Sequence, residues 1–139
     1  MSFEEKGAWL FVVIAVPMAA IYFATILGQL PATAVTEIDY QASLLAVVGA
    51  SIGLAIVGMI VIGIASPNDA GKADQRDREI NRLGEYVGGT VLAIGMVVPF
   101  GLAMAEAPHF WIANAMYLAF LVGALVGTAT KLVLYRRGF

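Results

Sequence analysis

The chain has 139 residues, 60% of them hydrophobic and 13% charged, with a net charge of −2 and no cysteine. A soluble domain of this size carries about 25% charged residues, so this composition, with a mean hydropathy of +0.86, points to the membrane class. It excludes disulfides, thiol chemistry, cysteine metal sites and the basic footprint of a nucleic-acid binder.

In chain order, the first apolar segment is residues 8–28, "AWLFVVIAVPMAAIYFATILG". It is too long for a cleavable signal, and Glu4 and Glu5 dilute its positive flank. A connection without Lys or Arg, "QLPATAVTEIDYQA", leads to the second segment, residues 43–65. A charged segment, residues 66–86, precedes the third, residues 87–105. The short turn "EAPH" then leads to the fourth, residues 110–134. A hydrocarbon core about 30 Å thick requires about 20 residues of helix, and the third segment only just qualifies. Pro17 and Pro99 fall inside the first and third segments and predict kinks. The similar "VVIAVP" and "IGMVVP" hint at a duplicated hairpin in parallel repeat.

All eight bases lie on one predicted side. Lys6 precedes the first segment, Lys72, Arg76, Arg78 and Arg82 lie in the second connection, and Lys131, Arg136 and Arg137 end the chain. Cytoplasmic loops retain Lys and Arg. Both termini and the charged segment are therefore expected in the cytoplasm. Trp9, Tyr22, Tyr40, Tyr86, Trp111 and Tyr135 fall mostly near the predicted interfaces, as aromatic anchors do.

Small residues recur at four-residue spacing: Gly49 and Gly53 in the second segment, Ala115, Ala119, Gly123 and Gly127 in the fourth. Such stripes let helix backbones approach closely. The sequence leaves open whether they pack within one bundle or between subunits. No ionisable residue lies deep in a span, which argues against a proton relay or an intramembrane cation site. Thr25, Ser51, Thr90, Asn114, Tyr117, Thr128 and Thr130 are the moderately polar groups there, expected to make interhelical hydrogen bonds. Asn114 and Tyr117 are also the candidate polar lining of a pore. Glu37, Asp39, Glu106 and His109 share the opposite side, where an ordinary polar turn is the simpler reading than a metal site. No nucleophile elbow, phosphate loop or His cluster is visible, so the chain is read as non-enzymatic, with no cofactor and no metal.

The densest charge is in "KADQRDREINRLGEYVGG", where eight of eighteen charged residues fall. Acids and bases alternate, which argues against an anionic-lipid anchor and against direct nucleic-acid binding. A helix from about residue 73 into the third span is predicted, with "SPND" supplying the break and cap residues. Asp74 and Arg78 stand at i, i+4. Arg82 has an acid three residues away on either side, Glu79 and Glu85. Exposed pairs contribute only ~0.3–0.5 kcal/mol each, so stability poorly explains this density. Ile80, Leu83 and Val87 form a narrow apolar stripe, and Gly84 in mid-helix suggests a hinge or close approach by another backbone.

The same stretch resembles the motif D-E-R-D-x-x-I-x-x-x-G-E-x-x-G of an uncharacterised family of small four-span prokaryotic membrane proteins. Asp74, Arg76, Asp77, Ile80, Gly84, Glu85 and Gly88 match it, and Gln75 departs from it where Glu is usual. The resemblance covers about 15 residues. Members of that family resemble proteins encoded beside small helix-turn-helix regulators, which implies an inner (cytoplasmic) membrane protein with a cytoplasmic regulatory partner.

The expected fold is an all-α integral membrane bundle of four helices in one domain, N-in and C-in, with an amphipathic cytoplasmic extension preceding the third span. The expected function is a membrane sensor or anchor that binds a cytoplasmic partner, itself DNA-binding on the resemblance, through 74–88. Asp74, Arg76, Asp77, Arg78, Glu79, Arg82 and Glu85 carry recognition. Gly49, Gly53, Ala119, Gly123 and Gly127 carry helix packing, and lipid and a second copy of the chain are further partners. The alternatives are a small dimeric transporter or channel and a packing subunit of a larger complex. Small multidrug exporters resemble one another in a first-helix intramembrane Glu, which this chain lacks.

Overall fold

The computed structural model describes residues 1–67 and 74–137. Within them the chain is helical, with no strand. The α-helices are α1 (Phe3–Leu27), α2 (Gln41–Ala65), α3 (Gln75–Gly95), α4 (Val97–Met104) and α5 (His109–Arg137). A short 3₁₀ turn (Val35–Glu37) lies between α1 and α2. Asn68, Asp69 and Lys72, which bear on the predicted break and on charge, lie outside the described residues. Because α4 continues α3, four helices among the described residues are long and apolar enough to cross a membrane.

Local chemistry sets the helix ends. Ser2 caps α1 by accepting the Glu5 N–H at 3.2 Å, and Glu4 and Glu5 stand in the first turn, where the helix dipole favours acids. This starts α1 ahead of the predicted residue 8. Asp74 caps α3 in a capping box with Asp77. Pro99 lacks an N–H and its ring crowds the carbonyl four residues back. That carbonyl belongs to Gly95, the last residue of α3, so the predicted kink at Pro99 is a break. Pro17 is carried inside an unbroken α1.

The turn from α4 to α5 is a Schellman motif. Ala107 N–H donates to Leu102 O at 3.0 Å and Glu106 N–H to Ala103 O at 3.1 Å. It requires a left-handed residue, and Glu106 takes that conformation at φ 52°. Glycine normally occupies such a position.

The principal packing runs α2 on α1, α1 on α5, and α5 on α3 and α4. The helices thus stand in an open row with α2 at its edge, and α2 has no buried residue. At the end remote from the bases, Tyr22, Ile26, Ile38 and Phe110 form a buried cluster between α1, α5 and the first connection. Tyr22 and Tyr117 meet edge-on at 5.4 Å, and Tyr40 and Phe110 likewise at 5.4 Å. Tyr22 is therefore a core residue rather than the interfacial anchor its position predicts.

The seam between α3 and α5 is built of glycine. A Cβ on Gly88 would lie 2.8 Å from Gly123 O, and one on Gly127 2.7 Å from Gly84 O. Neither leaves room for a side chain, so the two backbones touch. Ala119 continues the seam against Gly95. The close approach expected at Gly84 is thus with α5. The buried face of α3 is Asp77, Ile80, Gly84 and Gly88. The predicted stripe of Ile80, Leu83 and Val87 is shifted from it, and Leu83 stands exposed. Backbone contact, rather than side-chain volume, selects the face.

Gly49 and Gly53 differ. Neither has anything within 4 Å of the place a Cβ would take. Packing within the chain, one of the two readings of that stripe, does not hold at these positions.

Candidate functional site

The charged start of α3 meets the beginning of α1 and the end of α5. Asp77, though charged, is buried. The Tyr135 hydroxyl donates to its Oδ1 at 2.8 Å, and the Asp74 N–H approaches Oδ2 at 3.4 Å. A buried carboxylate without such donors would cost several kcal/mol. Asp77 is therefore an anchor, which corrects its assignment to the recognition surface. The i, i+3, i+7 spacing of Asp77, Ile80 and Gly84 was the signal that it shares their buried face.

Further bonds fix this junction. Arg76 Nη2 donates to Tyr135 O at 3.4 Å, and Asn81 Nδ2 donates to Glu4 Oε2 at 3.1 Å. Lys6 Nζ donates to Ser66 Oγ at 2.7 Å, tying α1 to the end of α2. The Arg136 guanidinium lies over the Trp9 ring at 5.6 Å. Asn81 was not singled out by sequence, and Glu4 and Tyr135 only as a flanking acid and an aromatic anchor, because their partners are 58 or more residues away.

The other charged residues described in this segment, Asp74, Arg76, Arg78, Glu79, Arg82 and Glu85, are exposed. The expected Asp74–Arg78 pair is absent: the Asp74 carboxylate instead accepts the Asp77 N–H at 2.8 Å. Arg82 reaches Glu79 at 4.0 Å, while Glu85 pairs with Lys131 of α5 at 3.7 Å rather than with Arg82. The result is a helix start held on one face, with alternating charge on the other.

The polar groups inside the apolar helices mostly serve their own helix. Thr25, Ser51, Thr90 and Thr130 each donate to the carbonyl four residues earlier at 2.7–2.8 Å, a bond that helices permit without a partner. This corrects the expectation of interhelical bonds at those positions. Asn114 does bridge helices: it accepts the Tyr22 hydroxyl at 2.7 Å and donates to Phe110 O at 2.8 Å. Its amide is buried and engaged, not free to line a pore. Tyr117 stacks on Phe23 with ring centres 5.6 Å apart.

At the opposite end, Glu37, Asp39 and His109 border one cavity of about 430 Å³. Among the described residues no group of three or more His, Asp or Glu is arranged to hold a metal. No family model, curated protein or solved structure matches the chain.

Proposed function

We propose that the chain is a multi-pass membrane protein, N-in and C-in, that acts without catalysis by presenting the start of α3 to a cytoplasmic partner. One observation carries this reading. Six charged side chains stand exposed on a helix whose opposite face is pinned by Asp77 to Tyr135 and by Asn81 to Glu4. A surface held in this way loses little further entropy when a partner binds. Alternating charge favours a partner of complementary pattern over a uniformly charged polymer or membrane. The motif resemblance suggests a small helix-turn-helix regulator as that partner, held at the inner membrane.

The test is capture from native cytoplasm by the solubilised protein, beside a form carrying Arg78→Glu and Arg82→Glu. A soluble protein retained by the native form alone is the expected result. Equal capture by both forms would sink the docking reading. Because the chain lacks cysteine, orientation is checked separately. Gln75→Cys should label with an impermeant maleimide only after the membrane is opened, and Thr36→Cys without opening it.

A dimer working as a small transporter or channel is the second reading. The uncovered Gly49 and Gly53 face of α2 favours the dimer, while the engaged Asn114 amide disfavours a pore beside it.

A further inference from the structure

Beside the α3–α5 seam lies a cavity of about 320 Å³ that nothing above uses. Its volume falls in the range of about 300–1,000 Å³ typical of small-ligand sites. Glycines form its floor, and Phe11, Leu92 and Phe120 stand along its walls. Phe120 is 54% exposed, so the groove opens sideways, away from the protein.

One end of the groove is charged. Lys131 and Glu85 border it and face each other at 3.7 Å, beyond hydrogen-bond reach. The Lys131 stem crosses α3 over Gly84, where a Cβ would collide with Lys131 Cγ. The missing side chain at 84 therefore sets where the ammonium sits. Glu85 remains 76% exposed at the side chain and Lys131 20%. Along α5, Lys131 and Phe120 are eleven residues apart in the sequence. At a rise of about 1.5 Å per residue the groove runs about 16 Å, close to half of a hydrocarbon core about 30 Å thick.

The geometry points to a phospholipid site with one acyl chain along the glycine floor and a zwitterionic, ethanolamine-type headgroup at its charged end. The proposal rests on α3 and α5 spanning the membrane. The headgroup phosphate accepts from Lys131 Nζ and its primary ammonium donates to the Glu85 carboxylate, so each protein charge gains a hydrogen-bonded counter-charge in place of the 3.7 Å contact between them. An anionic headgroup would satisfy Lys131 and face Glu85 with like charge. A choline headgroup carries no N–H to donate to Glu85. Charge-assisted hydrogen bonds of this kind are the stronger ones, and only the ethanolamine-type headgroup makes both.

The test reconstitutes the full chain into vesicles of equal phosphatidylethanolamine, phosphatidylcholine and phosphatidylglycerol. Lipid retained on the protein is then read by native mass spectrometry. Carbonate extraction of the same vesicles reports insertion independently. The native chain should retain phosphatidylethanolamine in preference to the other two. Lys131→Met, which keeps an apolar stem over Gly84, should lower that retention roughly five- to tenfold. Glu85→Gln should remove the preference over phosphatidylglycerol while leaving the protein inserted. Retention in proportion to vesicle composition, a preference for phosphatidylglycerol, or unchanged retention by Lys131→Met would each overturn the site while leaving the spanning reading intact. Release by carbonate would overturn the spanning reading and the site with it.

Discussion

Gly49 and Gly53 of α2 share their four-residue spacing with Gly123 and Gly127 of α5, yet they meet opposite surroundings. The α5 pair lies against the backbone of α3 at Gly84 and Gly88, and the α2 pair faces nothing within 4 Å. Small residues at this spacing permit close approach and do not bring it about. At α5 the partner helix carries glycines in matching register, so carbonyl oxygens of each helix approach the other's Cα atoms. Contacts of that kind are individually weak, but they are available only where both helices lack side chains. α1 lies against α2 differently. A Cβ on Gly58 would meet the Leu10 side chain and one on Gly7 the Met59 sulfur at 3.1 Å, so side chains fill those gaps. The first hairpin is thus joined through side chains and the second through backbone, which weakens the sequence hint that one duplicates the other.

The contrast can be broken most severely at the seam. Gly88→Ala or Gly127→Ala should each destabilise the fold by about 1–3 kcal/mol, since the new methyl meets backbone that cannot swing aside. Thermal unfolding in detergent followed by circular dichroism measures it, and a neutral result would mean that the two backbones are not in close contact there. Next in size is Asn114→Leu, which leaves the buried Tyr22 hydroxyl without its acceptor and should cost about 1–2 kcal/mol. Adding Tyr22→Phe to that variant should recover part of the loss, and strict additivity would argue against the bond.

Glu106 supplies the converse case, a left-handed position without a glycine. Glu106→Gly should stabilise by about 1 kcal/mol because it relieves the Cβ crowding at positive φ. The smallest effect is expected on α2. Gly53→Ala should be neutral or stabilise by up to about 1 kcal/mol through helix propensity. Loss of stability that depends on protein concentration would instead show a second copy seated on that face.

The charged segment shows how far sequence reading reached and where it stopped. Alternating acids and bases marked an exposed helix start, and one side of that helix does carry six exposed charges. The seventh, Asp77, turns inward because Tyr135 stands opposite it. Nothing local announces a partner 58 residues away. Asn114 was conspicuous as an amide in an apolar run, and its type allowed pore lining beside the expected interhelical bonding. The Tyr22 hydroxyl at 2.7 Å decides between them.

What the sequence determined by itself was what depends on one segment at a time. Among the described residues, length and apolarity set the four long helices, and the charge distribution separated a basic end from one without bases. Tertiary structure decided what depends on two segments at once. It chose which glycines are covered, which carboxylate is buried and which amide is engaged. The physical reason is range: propensity, capping and proline sterics act within about one helical turn. A backbone contact or a buried hydrogen bond exists only when a second helix brings its own atoms to the same place.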